Sequence, residues 1–327
     1  MNVSRLRQQF AQLGRSEAEA AEAVADVLAL ENWLSARGRA PEDARAEDLR
    51  PYVRALIEKK RNAPQRLENL ASYFYMMRRN ESYIYLCLLT GGIGVIESIL
   101  SRCRALAGDQ AADKIAQGAP LPPVGTDPEE LPAFTARFVA LLTDTLPEPL
   151  ARSVLAGNNH GIPAAAFNPE RERYLAAPSL DVYLKEKHAR AVETLQRHCD
   201  SGEVWFEQVV SQAFVDYVAS NQELLSARHE DGKLYVTKVP YAPDSFLSET
   251  DPVKKRYHAC HCPFARESIL HKEQDVPATW CYCSGGFAKH PYETIFGRPL
   301  SVELLQSVLR GDPVCRFAIH LDDAEQP

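Results

Sequence analysis

The residues with the most chemistry in this chain lie late in its sequence. They run Tyr257-His258-Ala259-Cys260-His261-Cys262-Pro263, then Trp280-Cys281-Tyr282-Cys283-Ser284-Gly285-Gly286, with Cys315 further on. Clustered thiolates bind a soft or borderline metal, act as nucleophiles, or pair as disulfides. Tetrahedral zinc takes four ligands, and Cys260, Cys262, Cys281 and Cys283 supply four thiolates. His258 or His261 could replace one of them, and Cys315 could join. Iron is the alternative metal. Thiol catalysis would instead use one cysteine as nucleophile with His258 or His261 as base. Residues i and i+2 of a strand stand about 6.6 Å apart, whereas thiolates on one zinc ion are about 3.7 Å apart. Each Cys-x-Cys must therefore bend or lean its side chains together. Pro263 and Gly285-Gly286, which follow directly, are expected to supply the bends. Cys87, Cys103 and Cys199 fall in helical patterns and read as core.

Other polar residues could line a ligand pocket beside this cluster: Lys238, Tyr241, Tyr257, Arg266 and His160. Lys238 and Tyr241 belong to the proline-bearing run Lys238-Val239-Pro240-Tyr241-Ala242-Pro243, which reads as a fixed extended loop. Arg266 could pair with an acidic ligand, although a bridge to Glu267 explains it equally well. His160 lies in Gly157-Asn158-Asn159-His160-Gly161-Ile162-Pro163, for which a simple polar turn is the plainer reading. Gly91-Gly92-Ile93-Gly94 has neither a preceding strand nor a following Lys-Ser/Thr, so it is no phosphate loop. No catalytic residue is assigned.

The elements that must hold these residues are legible in outline. Residues 1–106 read as a helical domain, 107–132 as a proline-rich linker, and 133–327 as a mixed α/β ligand-binding domain carrying the cysteines. Helical patterns occupy 131–155, 180–197 and 203–226. Lys233–Val239 alternates like a strand, and Gly311-Asp312-Pro313, preceded by Leu300–Leu309, turns into another, Cys315–Leu321. The chain thus ends in an antiparallel hairpin, and the expected class is α+β. Apolar content of 45%, charged content of 25% and a net charge of −7 are those of an ordinary globular protein. This balance argues against broad nucleic-acid or anionic-membrane binding. Arg45, Arg50, Arg54, Lys59, Lys60, Arg61 and Arg66 could make a nucleic-acid-facing patch over 45–66. Interleaved acids make a solvated helix face the plainer reading. No transmembrane helix and no signal peptide is expected, which places the protein in the cytoplasm, where clustered cysteines favour metal over disulfide. A small-molecule ligand is the expected partner, and an oligomer is compatible with the sequence.

Three resemblances add to this reading. Glu31-Asn32-Trp33-Leu34-Ser35-Ala36-Arg37-Gly38 through Tyr73-Phe74-Tyr75 resembles the SAM-like core-binding domain of tyrosine recombinases. The recombinase catalytic half is not recognisable downstream, so no DNA cleavage is inferred. Gly297-Arg298-Pro299-Leu300 through Gly311-Asp312-Pro313-Val314-Cys315-Arg316-Phe317 resembles the end of a 4-vinyl-reductase-type domain. That resemblance implies an α/β domain with a buried pocket for a small apolar or aromatic ligand. In its sensor members it implies a structural zinc held by cysteines and a glutamate. Cys315 matches the last of those cysteines, but Ser307 stands at the earlier one and Leu304 at the glutamate, so the two Cys-x-Cys pairs would have to replace them. Related-looking domains are assigned to thiazoline-carboxylate hydrolysis, which makes a hydrolase-like enzyme the competing expectation. The chain as a whole resembles an uncharacterised bacterial family with the same helical start and Cys-His-Cys-Pro segment.

Overall fold

The computed structural model describes residues 3–271 and 275–321. The fold is α+β: the chain is 63% helical, with a small four-stranded antiparallel sheet near the C-terminus after an N-terminal helical region. It divides into two compact units, Met1–Ile93 with Pro122–Pro128, and Gly94–Leu121 with Glu129–Pro327. The segment 107–132, expected to be a linker, contains a helix and is shared between the two.

The first unit holds helices α1 (Val3–Gln12), α2 (Glu17–Ser35), α3 (Ala46–Glu58), α4 (Pro64–Met76) and α5 (Asn80–Thr90). A reciprocal capping box starts α2. The Ser16 hydroxyl accepts the Glu19 N–H, and the Glu19 carboxylate accepts the Ser16 N–H at 2.8 Å. The helix then buries Ala20, Ala23, Val24, Val27, Leu30 and Leu34 along one stripe. Buried Asp26, on the same helix, accepts Arg66 Nε at 2.6 Å and Asn69 Nδ2 at 2.9 Å. Arg50 and Arg54 both pair with buried Asp127. Three basic residues of the 45–66 patch therefore tie their own unit together.

The second unit begins with α6 (Val95–Ala107), α7 (Asp109–Gly118), α8 (Leu131–Thr145), α9 (Glu148–Leu155) and α10 (Asn168–Ala176). Next come α11 (Leu180–Ser201) and α12 (Gln212–Ala219), then strands β1 (Arg228–Glu230) and β2 (Lys233–Thr237). Short helices α13 (Pro243–Ser248) and α14 (Pro252–Ala259) lead to α15 (Tyr282–Phe296), and β3 (Ser301–Gln306) and β4 (Arg316–His320) close the unit. The expected helix over 203–226 is mostly absent. Gly202, at φ +67°, ends α11, and Trp205 and Gln208 close a turn by reciprocal 2.9 Å bonds around Phe206 at φ +52°. A new helix begins only where Ser211 caps α12. Val204 and Val210 beside the turn are buried while Phe206 and Val209 stand exposed, a pattern that helical periodicity does not foresee.

The stretch Asn80–Ala107 meets the length and apolarity of a membrane span, contrary to the sequence expectation, with 33% of its most apolar window buried. The chain turns at Gly91–Gly94, where Gly94 has φ +76°. The helices on either side have 11 and 13 residues, short of the about 20 a spanning helix needs. Their buried faces, Tyr85, Leu86 and Leu89 on α5 and Val95, Ile96, Ile99 and Cys103 on α6, belong to two separate cores.

The sheet runs β1-β2-β4-β3, antiparallel throughout. The expected terminal hairpin is β3 with β4, pairing Leu304 with Phe317 and Val302 with Ile319. β4 also pairs with β2, Val236 opposite Phe317. The ladder extends one step further, where the Lys238 N–H donates to the Cys315 carbonyl at 2.9 Å. That bond sets Lys238 beside the last cysteine.

Candidate functional site

The five late cysteines come from three segments and meet between two apolar clusters. Cys281 and Cys283 sit in the core of Trp280, Phe138, Phe264 and Phe317. Cys260 sits with Phe246, Ile269 and Val308, and Cys262 and Cys315 touch both clusters. Cys260, Cys281 and Cys283 are buried, Cys262 and Cys315 partly so, and all eight cysteines of the chain are free thiols.

Neither Cys-x-Cys lies in a strand, so the expected strand geometry does not apply. Asp251 caps α14 by accepting the Val253 and Lys254 N–H groups at 2.8 and 3.1 Å. Cys260 then leaves the helix in extended conformation (φ −78°, ψ 122°) and starts the loop carrying Cys262. Cys281 ends a 3₁₀ turn, Ala278–Cys281, and Cys283 is the second residue of α15. Residues two apart on a helix point about 200° away from each other. Accordingly Cys281 faces Cys315 and Ser307, while Cys283 faces Asn159 and Cys262. Gly285 and Gly286 are not bends. They lie within α15, where an added Cβ at Gly286 would stand 2.2 Å from the Gly157 carbonyl oxygen, and one at Gly285 would stand 3.3 Å from Phe317. The two glycines let the helix lie against residues 156–157 and the sheet.

Each of the five sulfurs has a donor. Cys260 receives the Cys262 N–H. Cys262 receives Trp280 Nε1–H at 3.1 Å and the N–H groups of Phe264 and Ala265. Cys281 meets the Ser307 hydroxyl at 3.2 Å, Cys283 receives the Asn159 amide at 3.4 Å, and Cys315 receives the Val308 N–H and the Cys281 thiol. Such donors favour thiolate over thiol. Burial opposes them and wins at Cys260 and Cys262, both raised, and at Cys283, pushed up to about 12. Cys281 and Cys315 share a proton: the hydrogen bond between them lifts Cys281 far above an ordinary thiol and draws Cys315 below one. The Lys238 charge favours thiolate at Cys260, Cys262, Cys283 and Cys315. Its ammonium bonds the Ser284 hydroxyl at 3.4 Å and stands 5.7 Å from the Phe287 ring centre. Among the described residues, no three His, Cys, Asp or Glu side chains stand close enough together to hold one metal ion.

The histidines are poor bases. His261 is pushed down to about 3 by burial and the Lys238 charge, and its Nε2 donates to the Val239 carbonyl at 2.7 Å. Burial and the Arg266 charge also lower His258. His160 returns to the neighbourhood of the cluster. Its ring meets Phe287 edge to face at 5.4 Å, and burial and Lys238 hold it below an ordinary imidazole.

The pocket candidates fall into two groups. Lys238 and His160 lie by Phe287. Arg266 lies over the rings of both Tyr241 and Tyr257, its guanidinium carbon 4.5 and 4.1 Å from their centres. The expected Arg266–Glu267 bridge does not form, because Glu267 accepts the Tyr257 hydroxyl at 2.7 Å instead. The sequence reading missed Asn159, Trp280 and Ser307 as sulfur contacts. Adjacency to Cys281 marks Trp280, and Ser307 is the position aligned with a cysteine in the 4-vinyl-reductase resemblance. Nothing local marks Asn159.

Comparison with known proteins adds one match. No curated protein and no solved structure matches the chain. Residues 229–326, which contain all five cluster cysteines, Arg266 and all but the first residue of the sheet, match the model of a family described as "Family of unknown function (DUF6144)".

Proposed function

We propose that the five-cysteine cluster is a metal-thiolate centre, with zinc the metal and iron the alternative, in a cytoplasmic protein that binds or senses a small molecule. The observation carrying this reading is the donor set: five sulfurs, gathered from three segments into a water-poor core, each receiving an N–H or O–H. Hydrogen bonds to sulfur are the outer support that metal-bound thiolates require. Without a cation, burial leaves most of these thiols protonated and inert. A bound zinc would supply the charge that deprotonates them and would join the ends of α14, α15 and β4. Cys260, Cys262, Cys281 and Cys283 are the proposed ligands, with Cys315, His258 and His261 able to substitute. The side chains do not close on one ion as they stand, so the centre requires rotation about cysteine χ1. One staggered step carries the sulfur about 3 Å and leaves the backbone in place. A cytoplasmic setting agrees with eight free thiols.

The facing thiols of Cys281 and Cys315 favour a second reading, a metal- or cysteine-dependent, hydrolase-like enzyme acting on a small substrate at the same place. The histidine environments weigh against its cysteine form, since a base pushed down to about 3 removes few protons.

The test is metal content by mass spectrometry on tag-free protein beside Cys260→Ser and Cys283→Ser. About one zinc per chain, lost in both variants, is expected from a four-ligand site. Protein purified without zinc or iron, with thiols that react freely, refutes the centre and favours the cysteine enzyme.

A further inference from the structure

Arg266 has an environment that the metal reading does not explain. The residue is only 8% exposed. Among the described residues its guanidinium makes no hydrogen bond or ion pair, and its Nε is wholly enclosed without a partner. Its backbone is fixed, the N–H donating to the Cys262 carbonyl at 2.9 Å at the head of a 3₁₀ turn, Arg266–Ile269. Neither nearby carboxylate closes on it: Glu267 accepts the Tyr257 hydroxyl, and Glu207, which senses the Arg266 charge, forms no ion pair with it among the described residues. His258 Nδ1, close enough to sense the Arg266 charge, is also buried without a partner.

A buried guanidinium is costly unless something offsets its lost hydration. The Tyr241 and Tyr257 rings offset part of it through their faces. Faces cannot satisfy N–H groups, which point outward in the guanidinium plane. The two rings take up part of the space around the guanidinium, and a hydrogen-bonding partner meets the N–H groups edge-on, in the guanidinium plane. A planar carboxylate meets a guanidinium edge-on by two parallel hydrogen bonds, a geometry lysine cannot reproduce.

We propose that Arg266, held against the rings of Tyr241 and Tyr257, anchors a small carboxylate ligand. This names the ligand class for the small-molecule reading above and rests on it. The site adjoins the cysteines: the Tyr241 ring meets the His261 ring at 5.4 Å, and His261 stands between Cys260 and Cys262. The carboxylate end of the ligand would lie on Arg266 and its remainder toward the metal-thiolate cluster.

The experiment uses the full chain as purified and follows its thermal transition in sodium acetate, sodium benzoate, inorganic phosphate and sodium chloride at matched ionic strength. Zinc content is measured on the same samples. Acetate or benzoate is expected to raise the transition temperature beyond chloride in a saturable way. Arg266→Gln is expected to abolish the response, and Arg266→Lys to weaken binding by about tenfold or more through loss of the paired hydrogen bonds, with zinc content unchanged in both. A wild-type protein that responds to neither carboxylate overturns the proposal without recourse to any variant, so a poorly folding Arg266→Gln does not shield it. A response equally strong in folded Arg266→Gln, or stronger to phosphate than to either carboxylate, also overturns it. The metal reading fails separately: carboxylate binding by zinc-free, iron-free protein keeps Arg266 and removes the metal, and zinc without carboxylate binding does the reverse.

Discussion

Replacing Gly286 with alanine sets two known effects against each other. Alanine is the better helix former by about 1 kcal/mol, and Gly286 lies inside α15, so propensity alone predicts stabilisation. The added Cβ would meet the Gly157 carbonyl oxygen at 2.2 Å, the Ala156 carbonyl carbon at 2.6 Å and the Gly157 nitrogen at 2.8 Å. All three are backbone atoms, which cannot swing aside as a side chain can. Ordinary contact begins near 3.4 Å, so α15 and residues 156–157 must part by about 1 Å, enough to forfeit much of the packing between them. Overpacking of this kind costs about 3 kcal/mol. The net expectation is about 2 kcal/mol of destabilisation, or a fall of about 4–8 °C in the transition of a unit this size. Gly285→Ala is the control, because its Cβ meets only side chains, Phe317 and Val302, at 3.3 Å. Its net effect should stay within about 1 kcal/mol. Differential scanning calorimetry of the two variants decides. A Gly286→Ala transition equal to or above wild type would refute the close approach of α15 to residues 156–157, and with it the placing of Asn159 on Cys283.

Two further outcomes follow from the same structure. Glu223 is buried and accepts two bonds from Arg316 at 2.7 Å each and one from Thr237 at 2.7 Å. Burial raises its carboxyl, but the Arg316 and Thr237 hydrogen bonds and the Arg316 charge outweigh burial, so it titrates below an ordinary glutamate. Its stabilisation is therefore complete above the unfolded value of about 4.3 and is lost as pH falls through the lower folded value. Glu223→Gln should cost about 2 kcal/mol at neutral pH and flatten acid unfolding in that window, and urea titrations from neutral to acidic pH that superimpose on wild type would contradict it. Trp280→Phe removes the Nε1–H donated to Cys262 at 3.1 Å and part of the packing on Phe138 and Phe264. Zinc affinity by chelator competition should fall about 10-fold or more; an unchanged affinity in a folded variant would make that hydrogen bond irrelevant to the centre.

What the sequence disclosed follows from how far each signal reaches. The alternation around Phe317 and Ile319 and the turn at Gly311–Pro313 are local, and they predict the terminal hairpin that the structure contains. The cysteines are conspicuous by type, so their segment was legible, but their geometry was not. Two cysteines one residue apart look alike whether they lie on a strand, a loop or a helix start, and here one pair takes a loop and the other a helix start. Gly285-Gly286 read as a bend because glycine usually marks one; its true cause, the backbone of residues 156–157, is distant in sequence. Asn159 was out of reach for the same reason. The helix expected over 203–226 failed because apolar spacing was counted across the turn closed by Trp205 and Gln208 and across Ser211, which caps a new helix.

The bond from the Lys238 N–H to the Cys315 carbonyl also bears on the order of events while the chain is being made. Cys260, Cys262, Cys281 and Cys283 leave the ribosome well before β4, so for that interval they lack Cys315, Val308 and the packing of Phe317. Pairings of this kind, between residues far apart in the chain, form late and leave reactive groups uncovered meanwhile. The newborn chain thus passes through a stage with four adjacent, solvent-open thiols, open to the wrong metal or to premature oxidation. Ribosome-bound chains halted before residue 315 should accordingly take up a thiol-specific alkylating reagent that the finished protein excludes.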